Sequence, residues 1–220
     1  MKKLTNRFVI SDHHLGHENS WKLFKLADGS PLRPFTSTDE MNEAMIERHN
    51  AVVRPQDSVY FLGDVVINKR YLELVKRMNG KKRLIRGNHD IFKDNEYRDV
   101  GFEQIHGVRV FVDKFIFSHI PLHPDCVTDR FRVNVHGHLH ANQIMKEDYY
   151  GETCKDQNEN YGRPMKSVMP DPRYLCVCVE QTNFTPLSFD EVEARIQQRW
   201  NKVGYEPPKK AGWGNGSGPN

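Results

Sequence analysis

Short apolar runs that end in polar residues recur along the first half of the chain. Three of them are predicted to be buried strands: Arg7–Ser11, Ser58–Leu62 and Arg83–Arg86. Between these runs, Ser37 and Glu40 have the spacing of a capping box that opens a helix, and Tyr71–Met78 has apolar positions at helical spacing. A shorter helix is expected at Ser20–Leu26. Strands that alternate with helices predict a layered α/β fold.

The second half of the chain is richer in predicted strands. Four runs have the strand pattern: Val108–Val112, Phe115–Ser118, Phe131–Val135 and Leu175–Val179. The first two flank Asp113 and Lys114, which indicates a tight hairpin. Ser188 and Glu191 form a second capping box, and the helix that follows has one apolar face, made by Val192, Ile196 and Trp200.

Two segments lack any periodicity. Residues 141–173 are polar and interrupted by Gly and Pro, so this stretch is predicted to be either a flap over a cleft or an irregular surface excursion. Residues 203–220 carry repeated glycines and are predicted to be a disordered tail. The remainder, residues 1–202, has a length that suits one domain with a substantial core.

Composition narrows the class of protein. With 37% hydrophobic residues and no apolar run near the ~20 residues that span a bilayer, a membrane protein is excluded. The basic N-terminus has no long apolar stretch, so we expect no secretory signal and a cytoplasmic location. A net charge of +3 is too small to indicate nucleic-acid binding by itself. The four cysteines are predicted to be free thiols, with Cys176 and Cys178 pointing to one face of a strand.

Five polar clusters directly follow predicted strands. They contain Asp12 with His14, Asp64, Asn88 with His89, His119, and His138 with His140. Ligands bind at the carboxyl ends of strands in layered α/β folds, so we expect the clusters to converge. Imidazole, carboxylate and amide ligands suit Mn²⁺, Fe, Zn²⁺, Co²⁺ or Ni²⁺ better than Ca²⁺. Six to seven such ligands are too many for one catalytic ion and suit the paired ions of phosphatases and nucleases.

Each cluster alone is a weak signal, because a lone Gly-Asp is usually a turn and a lone His is usually a satisfied core or surface residue. The combined pattern is specific because five clusters occur in order, each at the end of a predicted strand. Four other histidines are predicted to be structural or to face solvent: His49, His106, His123 and His136. His13 is expected to be exposed.

The clusters together have the order Asp-x-His, Gly-Asp, Gly-Asn-His-Asp, His and Gly-His-x-His, and in this order the chain resembles the calcineurin-like metallophosphoesterases. The resemblance spans about Phe8–Leu187 and is strongest to small predicted phosphoesterases of bacteria and phages. It implies a four-layer α-β-β-α sandwich with the metal site at the carboxyl ends of the strands.

The resemblance also implies a role for each motif residue. Asp12, His14 and His140 would bind one divalent ion; Asn88, His119 and His138 would bind the other; and Asp64 would bridge the two. Mn²⁺ is the first choice of metal, and a hydroxide held between the ions would attack phosphorus. His89 would stabilise the transition state or protonate the leaving oxygen, oriented by Asp90. His17 and Arg86 are candidates to contact the substrate phosphate, with a solvent-facing role as the alternative for each.

The expected activity is therefore hydrolysis of a phosphate ester, with a diester favoured over a monoester. The substrate class includes nucleotides and cyclic nucleotides. A nuclease and a non-catalytic scaffold are the alternatives, although the scaffold is disfavoured because every ligand and His89 are present. The oligomeric state is open.

Overall fold

Two β-sheets organise the protein, whose computed structural model describes residues 5–111, 114–127, 130–150 and 165–207. The strands are β1 (Arg7–Ile10), β2 (Ser58–Phe61), β3 (Lys81–Ile85), β4 (Phe102–His106), β5 (Val108–Phe111), β6 (Phe115–Ser118), β7 (Val133–His136), β8 (Met145–Tyr150), β9 (Met165–Pro170), β10 (Tyr174–Cys176) and β11 (Leu187–Ser188). The α-helices are α1 (Asn19–Lys22), α2 (Thr38–Val52), α3 (Asp94–Asp99) and α4 (Phe189–Val203). Three 3₁₀ helices cover Lys69–Arg77, Pro124–Cys126 and Val179–Gln181.

The first sheet has the order β11-β1-β2-β3-β4. Strands β1 to β4 are parallel, with Phe8 beside Val59 and Val59 beside Lys82, and β11 runs antiparallel to β1. Parallel pairing places the carboxyl ends of β1, β2 and β3 at one edge of the sheet.

The second sheet has the order β10-β7-β6-β5, in which β10, β7 and β6 are parallel and β5 forms the predicted hairpin with β6. The residue predicted for its turn, Asp113, lies outside the described residues. Just beyond β1 and β10 the two sheets join, because Ser11 N donates to Val177 O (3.0 Å) and Val179 N donates to Ser11 O (3.1 Å). The carboxyl ends of both sheets therefore meet at this contact.

Strand alternation divides the apolar residues between two cores. Phe8, Ile10 and Phe61 face one side of the first sheet and pack with residues of α2 and of the 3₁₀ helix Lys69–Arg77. Val9 and Tyr60 face the other side and pack with the second sheet and with α4. The mixed α/β class with parallel strands is thus confirmed, and no helix in the described ranges is long and apolar enough to cross a membrane.

Two predicted helices differ from expectation. The first is short, ending at Lys22 rather than Leu26, because Leu23, Phe24 and Leu26 are exposed and offer no buried face to hold another turn. The second, Lys69–Arg77, is a 3₁₀ helix whose buried residues Leu72 and Val75 are three positions apart, which is the 3₁₀ period.

The two predicted capping boxes also differ from each other. At α4 the box is complete, because Ser188 Oγ accepts from Glu191 N and the Glu191 carboxylate accepts from Ser188 N. At α2, Ser37 Oγ accepts from Glu40 N at 3.1 Å, but the Glu40 carboxylate accepts from Thr36 N at 2.7 Å instead of returning to Ser37. The sequence pattern predicts neither helix α3 nor strand β4. In β4, two consecutive exposed residues and a register irregularity against β3 break the strand period.

The structure describes parts of the two segments that lack periodicity. Within 141–173, β8 and β9 form a separate antiparallel pair, and whether it serves as a flap stays a prediction. Helix α4 extends to Val203, Gly204 ends it with φ +62°, and Tyr205 N donates to Trp200 O at 3.0 Å. The chain therefore packs beyond residue 203, and residues 208–220 of the predicted tail lie outside the described residues.

A buried carboxylate at the amino end of β2, opposite the ligand end of the strand, generates the first prediction. Asp57 accepts bonds from Asn6 N (3.0 Å), Arg54 N (2.9 Å) and the Arg54 guanidinium, and these bonds from Arg54 lower the pKa of Asp57 to about 2 although burial opposes it. Asp57→Asn should lower the free energy of unfolding by ~1–3 kcal/mol at pH 7, because the buried side chain loses its charge and at least one of its hydrogen bonds.

Since the folded-state pKa of Asp57 is lowered, its contribution is full above its ordinary value of 3.8 and declines as the pH falls towards 2. Urea unfolding of both proteins from pH 7 to pH 3 tests this. Glu43→Gln, in the exposed pair with Arg77, serves as the control and should cost under ~1 kcal/mol. Equal losses in the two variants would contradict the prediction.

Candidate metal centre

The predicted ligands lie at the carboxyl ends of parallel strands in both sheets. Asp12, Asp64 and Asn88 follow β1, β2 and β3, whereas His119 and the pair His138 and His140 follow β6 and β7. The structure brings six of them into two groups whose ligand atoms lie within 4.8 Å of one another. We call Asp12, His14 and His140 the first ligand group, and Asp64, His119 and His138 the second ligand group.

Asp64 lies between the two groups. Its Oδ2 atom is 3.5 Å from His14 Nε2 in the first group and 3.3 Å from His119 Nε2 in the second. A single carboxylate thus faces both groups, as the predicted bridging role requires.

The Asp12 carboxylate has one oxygen fully engaged and one left over. Oδ2 accepts from Ser11 Oγ (2.5 Å), His138 N (2.8 Å) and Cys178 Sγ (3.1 Å). Oδ1 is buried without a hydrogen-bond partner among the described atoms, and so are both ring nitrogens of His14. Buried polar atoms are normally paired, so these nitrogen and oxygen atoms fit the donor set of a divalent transition metal.

A backbone carbonyl sets the orientation of the His119 ring. Its Nδ1 lies 2.7 Å from Leu62 O, which can only accept, so Nδ1 carries the proton. Its Nε2 is then directed at Asp64 and at Asn88 Oδ1, 2.9 Å away. Asn88, which belongs to neither group of three, is thereby placed beside the second ligand group.

The field at the site favours cations. Burial lowers the pKa of His119, but the carboxylates of Asp64 and Asp12 outweigh burial and raise that pKa to about 9. Carboxylates that stabilise a proton on a buried imidazole also stabilise a divalent cation in the same place.

The backbone at these ligands is strained. Left-handed φ angles occur at five of them: Asp12 (59°), His14 (47°), Asp64 (54°), His138 (70°) and His140 (51°). Non-glycine residues adopt this conformation at a cost and keep it only where the surroundings impose it, most often at functional sites.

Two motif glycines are required by close approach. A Cβ at Gly87 would lie 2.2 Å from Asp64 Oδ1, and one at Gly137 would lie 2.1 Å from Ser11 Oγ. The glycine in Gly-Asn-His and in Gly-His-x-His thus lets the strand ends pack against the ligands.

Comparison with known families shows which family the chain belongs to. A model described as calcineurin-like phosphoesterase matches residues 7–187. The chain belongs to the calcineurin-like phosphoesterase family. It is therefore a metal-dependent phosphoric ester hydrolase, as the motifs predicted.

Relatives of this metallophosphoesterase occur in archaea and phages. A protein of Methanocaldococcus jannaschii named as uncharacterized is 30% identical over 200 residues, covering 87% of this chain and 91% of its own. The gene 66 protein of Mycobacterium phage L5 is 25% identical over 193 residues, covering 73% of this chain and 89% of its own. The crystal structure of a protein of unknown function from Aquifex aeolicus shares the fold, with a TM-score of 0.56, 24% identity, and coverage of 87% of this chain and 100% of that one.

His89 lies at the mouth of the metallophosphoesterase site. It is exposed, its backbone N donates to Asp64 Oδ1 at 2.9 Å, and its ring centroid is 5.4 Å from that of His14. His17 is also beside His14, with ring centroids 5.7 Å apart, and it makes an edge-on contact with Phe24, with ring centroids 5.5 Å apart. Both positions agree with side chains that face a substrate.

Asp90 differs from its predicted role. Its carboxylate accepts from the backbone N of Asp64 (2.7 Å), Gly87 (2.8 Å) and Val65 (3.1 Å), and from Tyr97 Oη (3.2 Å), with no bond to the His89 ring. The prediction that this carboxylate orients the His89 ring by a hydrogen bond is therefore wrong. Asp90 ties the turn after β2 to the turn after β3.

Arg86, a predicted phosphate contact, bonds to other groups of the protein. Its guanidinium donates to Asp90 O (2.7 Å), Phe92 O (3.0 Å) and Asp94 Oδ1 (2.5 Å). The donors expected for a phosphate thus hold the segment that follows the motif.

Sequence reasoning misplaced one residue and missed others. His13 is buried rather than exposed, packed on Phe61 with ring centroids 5.1 Å apart, and burial lowers its pKa to about 3. Arg33 and Glu180, which contact ligand residues from distant segments, carried no motif signal. Cys178, predicted to share a face with Cys176, does so with sulfurs 3.3 Å apart, and its contact with Asp12 was not anticipated.

Asp90 generates the second prediction. Asp90→Ala should lower the free energy of unfolding by ~1–3 kcal/mol and reduce bound metal, because the backbone N–H groups of Asp64, Val65 and Gly87, the first two of them buried, lose their acceptor. Thermal unfolding and elemental analysis of metal content measure both effects. Tyr97→Phe is the matched control, since it removes only the hydroxyl bond to Asp90 and should leave metal content near normal. Normal metal content with reduced turnover in Asp90→Ala would instead support the catalytic role.

Proposed function

We propose that this metallophosphoesterase uses a dinuclear metal centre and hydrolyses phosphodiesters in preference to monoesters. The observation that carries the dinuclear part is the position of Asp64, whose Oδ2 faces a histidine of each ligand group. Asp12, His14 and His140 would hold one ion; His119, His138 and Asn88 would hold the other; and Asp64 would contact both.

The donor set supports Mn²⁺ or a similar ion, since it combines imidazole, carboxylate and amide oxygen without a thiolate aimed at either group as ligand. Divalent ions bound there would supply Lewis-acid activation of water and neutralise charge on the phosphate. The phosphate-ester substrate would approach from the side on which Asn88 and His89 are exposed.

The residues of the chain have distinct tasks in this proposal. His89, fixed through its backbone bond to Asp64, would donate a proton to the leaving oxygen. His17, half-buried beside His14, would hydrogen-bond a phosphate oxygen.

The proposed preference for diesters is argued from the positions of two arginines, Arg86 and Arg132. A monoester arrives as a near-dianion and is best held by guanidinium groups beyond the metals. The guanidinium of Arg86 donates to backbone carbonyls and to Asp94. Arg132 lines a cavity with Lys114 and Glu193 beside α4. Neither is placed to neutralise a second phosphate charge, whereas a diester carries one.

Two substitutions separate metal binding from chemistry. Asp64→Ala should lose both ions and nearly all activity, because the shared carboxylate is gone. His89→Ala should keep its metal and lose ~10²–10⁴-fold in turnover, the range for a lost acid–base group. Metal analysis and kinetics with added Mn²⁺ after EDTA treatment test this, with EDTA-treated wild type as reference. An ion lost from His89→Ala, or full activity after complete chelation, would contradict the assignment.

The substrate preference has a direct kinetic test. The value of kcat/KM for bis-p-nitrophenyl phosphate should exceed that for p-nitrophenyl phosphate at the same Mn²⁺ concentration, because Arg86 and Arg132, within the described part of the chain, give little cationic help to a dianion. Arg86→Gln should change the two values little once its fold is verified by thermal unfolding. A clear preference for the monoester would reject the proposal.

A further inference from the structure

Glu180 lies next to a metal-ligand histidine although no motif contains it. It belongs to the 3₁₀ helix Val179–Gln181, just past the carboxyl end of β10, and its side chain is only 4% exposed. Its Oε1 atom is 3.1 Å from His140 Nδ1. A sixth strand end thus contributes to the site from behind the ligands.

This contact sets the tautomer of His140. An ionised carboxylate only accepts hydrogen bonds, so Nδ1 of His140 carries the proton. The other nitrogen, Nε2, then has a free lone pair and faces Asp12 Oδ1 at 4.0 Å. Glu180 therefore directs the ligand atom of His140 towards the first ligand group.

Arg33 connects the same carboxylate to the backbone of the ligand turn. Its fully buried side chain donates from Nε to Glu180 Oε1 (2.8 Å), from Nη2 to Asp12 O (2.7 Å) and from Nη1 to His13 O (2.7 Å). One planar guanidinium thus holds the turn that carries Asp12 and His14 and the carboxylate that orients His140.

The two ligand groups differ in this support. In the second group, His119 Nδ1 donates to a neutral carbonyl, Leu62 O. In the first group, His140 Nδ1 donates to a carboxylate, which makes an imidazole a more basic ligand than a carbonyl partner does.

We propose that Glu180 and Arg33 are positioning residues for the first ligand group and give that group a higher metal affinity than it would have from its ligands alone. The inference rests on the proposed two-ion centre. Glu180 acts through His140, and Arg33 acts through Glu180 and the backbone of Asp12 and His13.

The test measures metal affinity rather than turnover. Metal-depleted protein is titrated with Mn²⁺, and the free ion is followed by electron paramagnetic resonance to obtain two dissociation constants. Glu180→Ala should weaken one of them by ~10–100-fold, the usual effect of losing such a partner, and leave the other nearly unchanged. Glu180→Gln keeps an oxygen acceptor of the same shape without the charge, so its loss should be smaller and confined to the same ion.

A second substitution tests the arginine. Arg33→Lys keeps the charge but not the fork that reaches two backbone carbonyls, so it should weaken the same single ion as the Glu180 variants. Asp57→Asn is the matched control, because Asp57 is also a buried carboxylate paired with an arginine but lies away from both ligand groups. It should leave both dissociation constants unchanged.

The outcomes distinguish this inference from the proposed function. Thermal unfolding verifies that each variant is folded, and if Glu180→Ala is not, Glu180→Gln decides. Unchanged constants in a folded Glu180 variant, or equal weakening of both ions, would overturn the positioning role. A wild-type protein that binds only one Mn²⁺ would instead reject the two-ion centre itself.

Discussion

The contact between the two sheets at Ser11 is the constraint on which the site depends. Ser11 exchanges backbone hydrogen bonds with Val177 and Val179, and its hydroxyl donates to Asp12 and packs against Gly137. The first sheet supplies the two carboxylates, the amide and His14, whereas the second supplies His119, His138 and His140. Without this contact, each sheet would end in a row of polar turns with an incomplete set of ligands.

The same convergence has a conformational cost. Five ligands adopt left-handed backbone angles, and several ligand atoms are buried with no hydrogen-bond partner among the described residues. Two buried side chains offset this cost. Asp90 accepts from the backbone around Asp64, and Arg33 donates to the carbonyls of Asp12 and His13. In both cases a buried polar side chain behind the candidate ligands holds the turns that carry them.

The catalytic picture follows from which polar groups remain available. Arg86 and Asp90 flank the Gly-Asn-His motif, and both form hydrogen bonds with other groups of the protein. His89 and Asn88 stay exposed at the mouth of the site. Among the described residues, neither Arg86 nor Arg132 is available to a second phosphate charge, and the imidazole of His89 is exposed. Such a centre suits a singly charged ester whose leaving group needs a proton, which is the basis for the proposed diester preference.

The chain by itself determined the elements and the motifs that end them: the apolar runs of β1, β2 and β3, the capped helix at Ser188, and the ordered ligand motifs that identify the family. These are local signals, because strand periodicity, caps and motif spacing depend on residues a few positions apart. Only the tertiary structure decided which polar groups the ligands meet. Arg33 and Glu180 are 147 positions apart, and the bonds that Asp90 accepts from Asp64 N and Val65 N join the turns after two different strands. No spacing rule records such contacts, since hydrogen-bond partners are chosen by proximity in the fold and by burial.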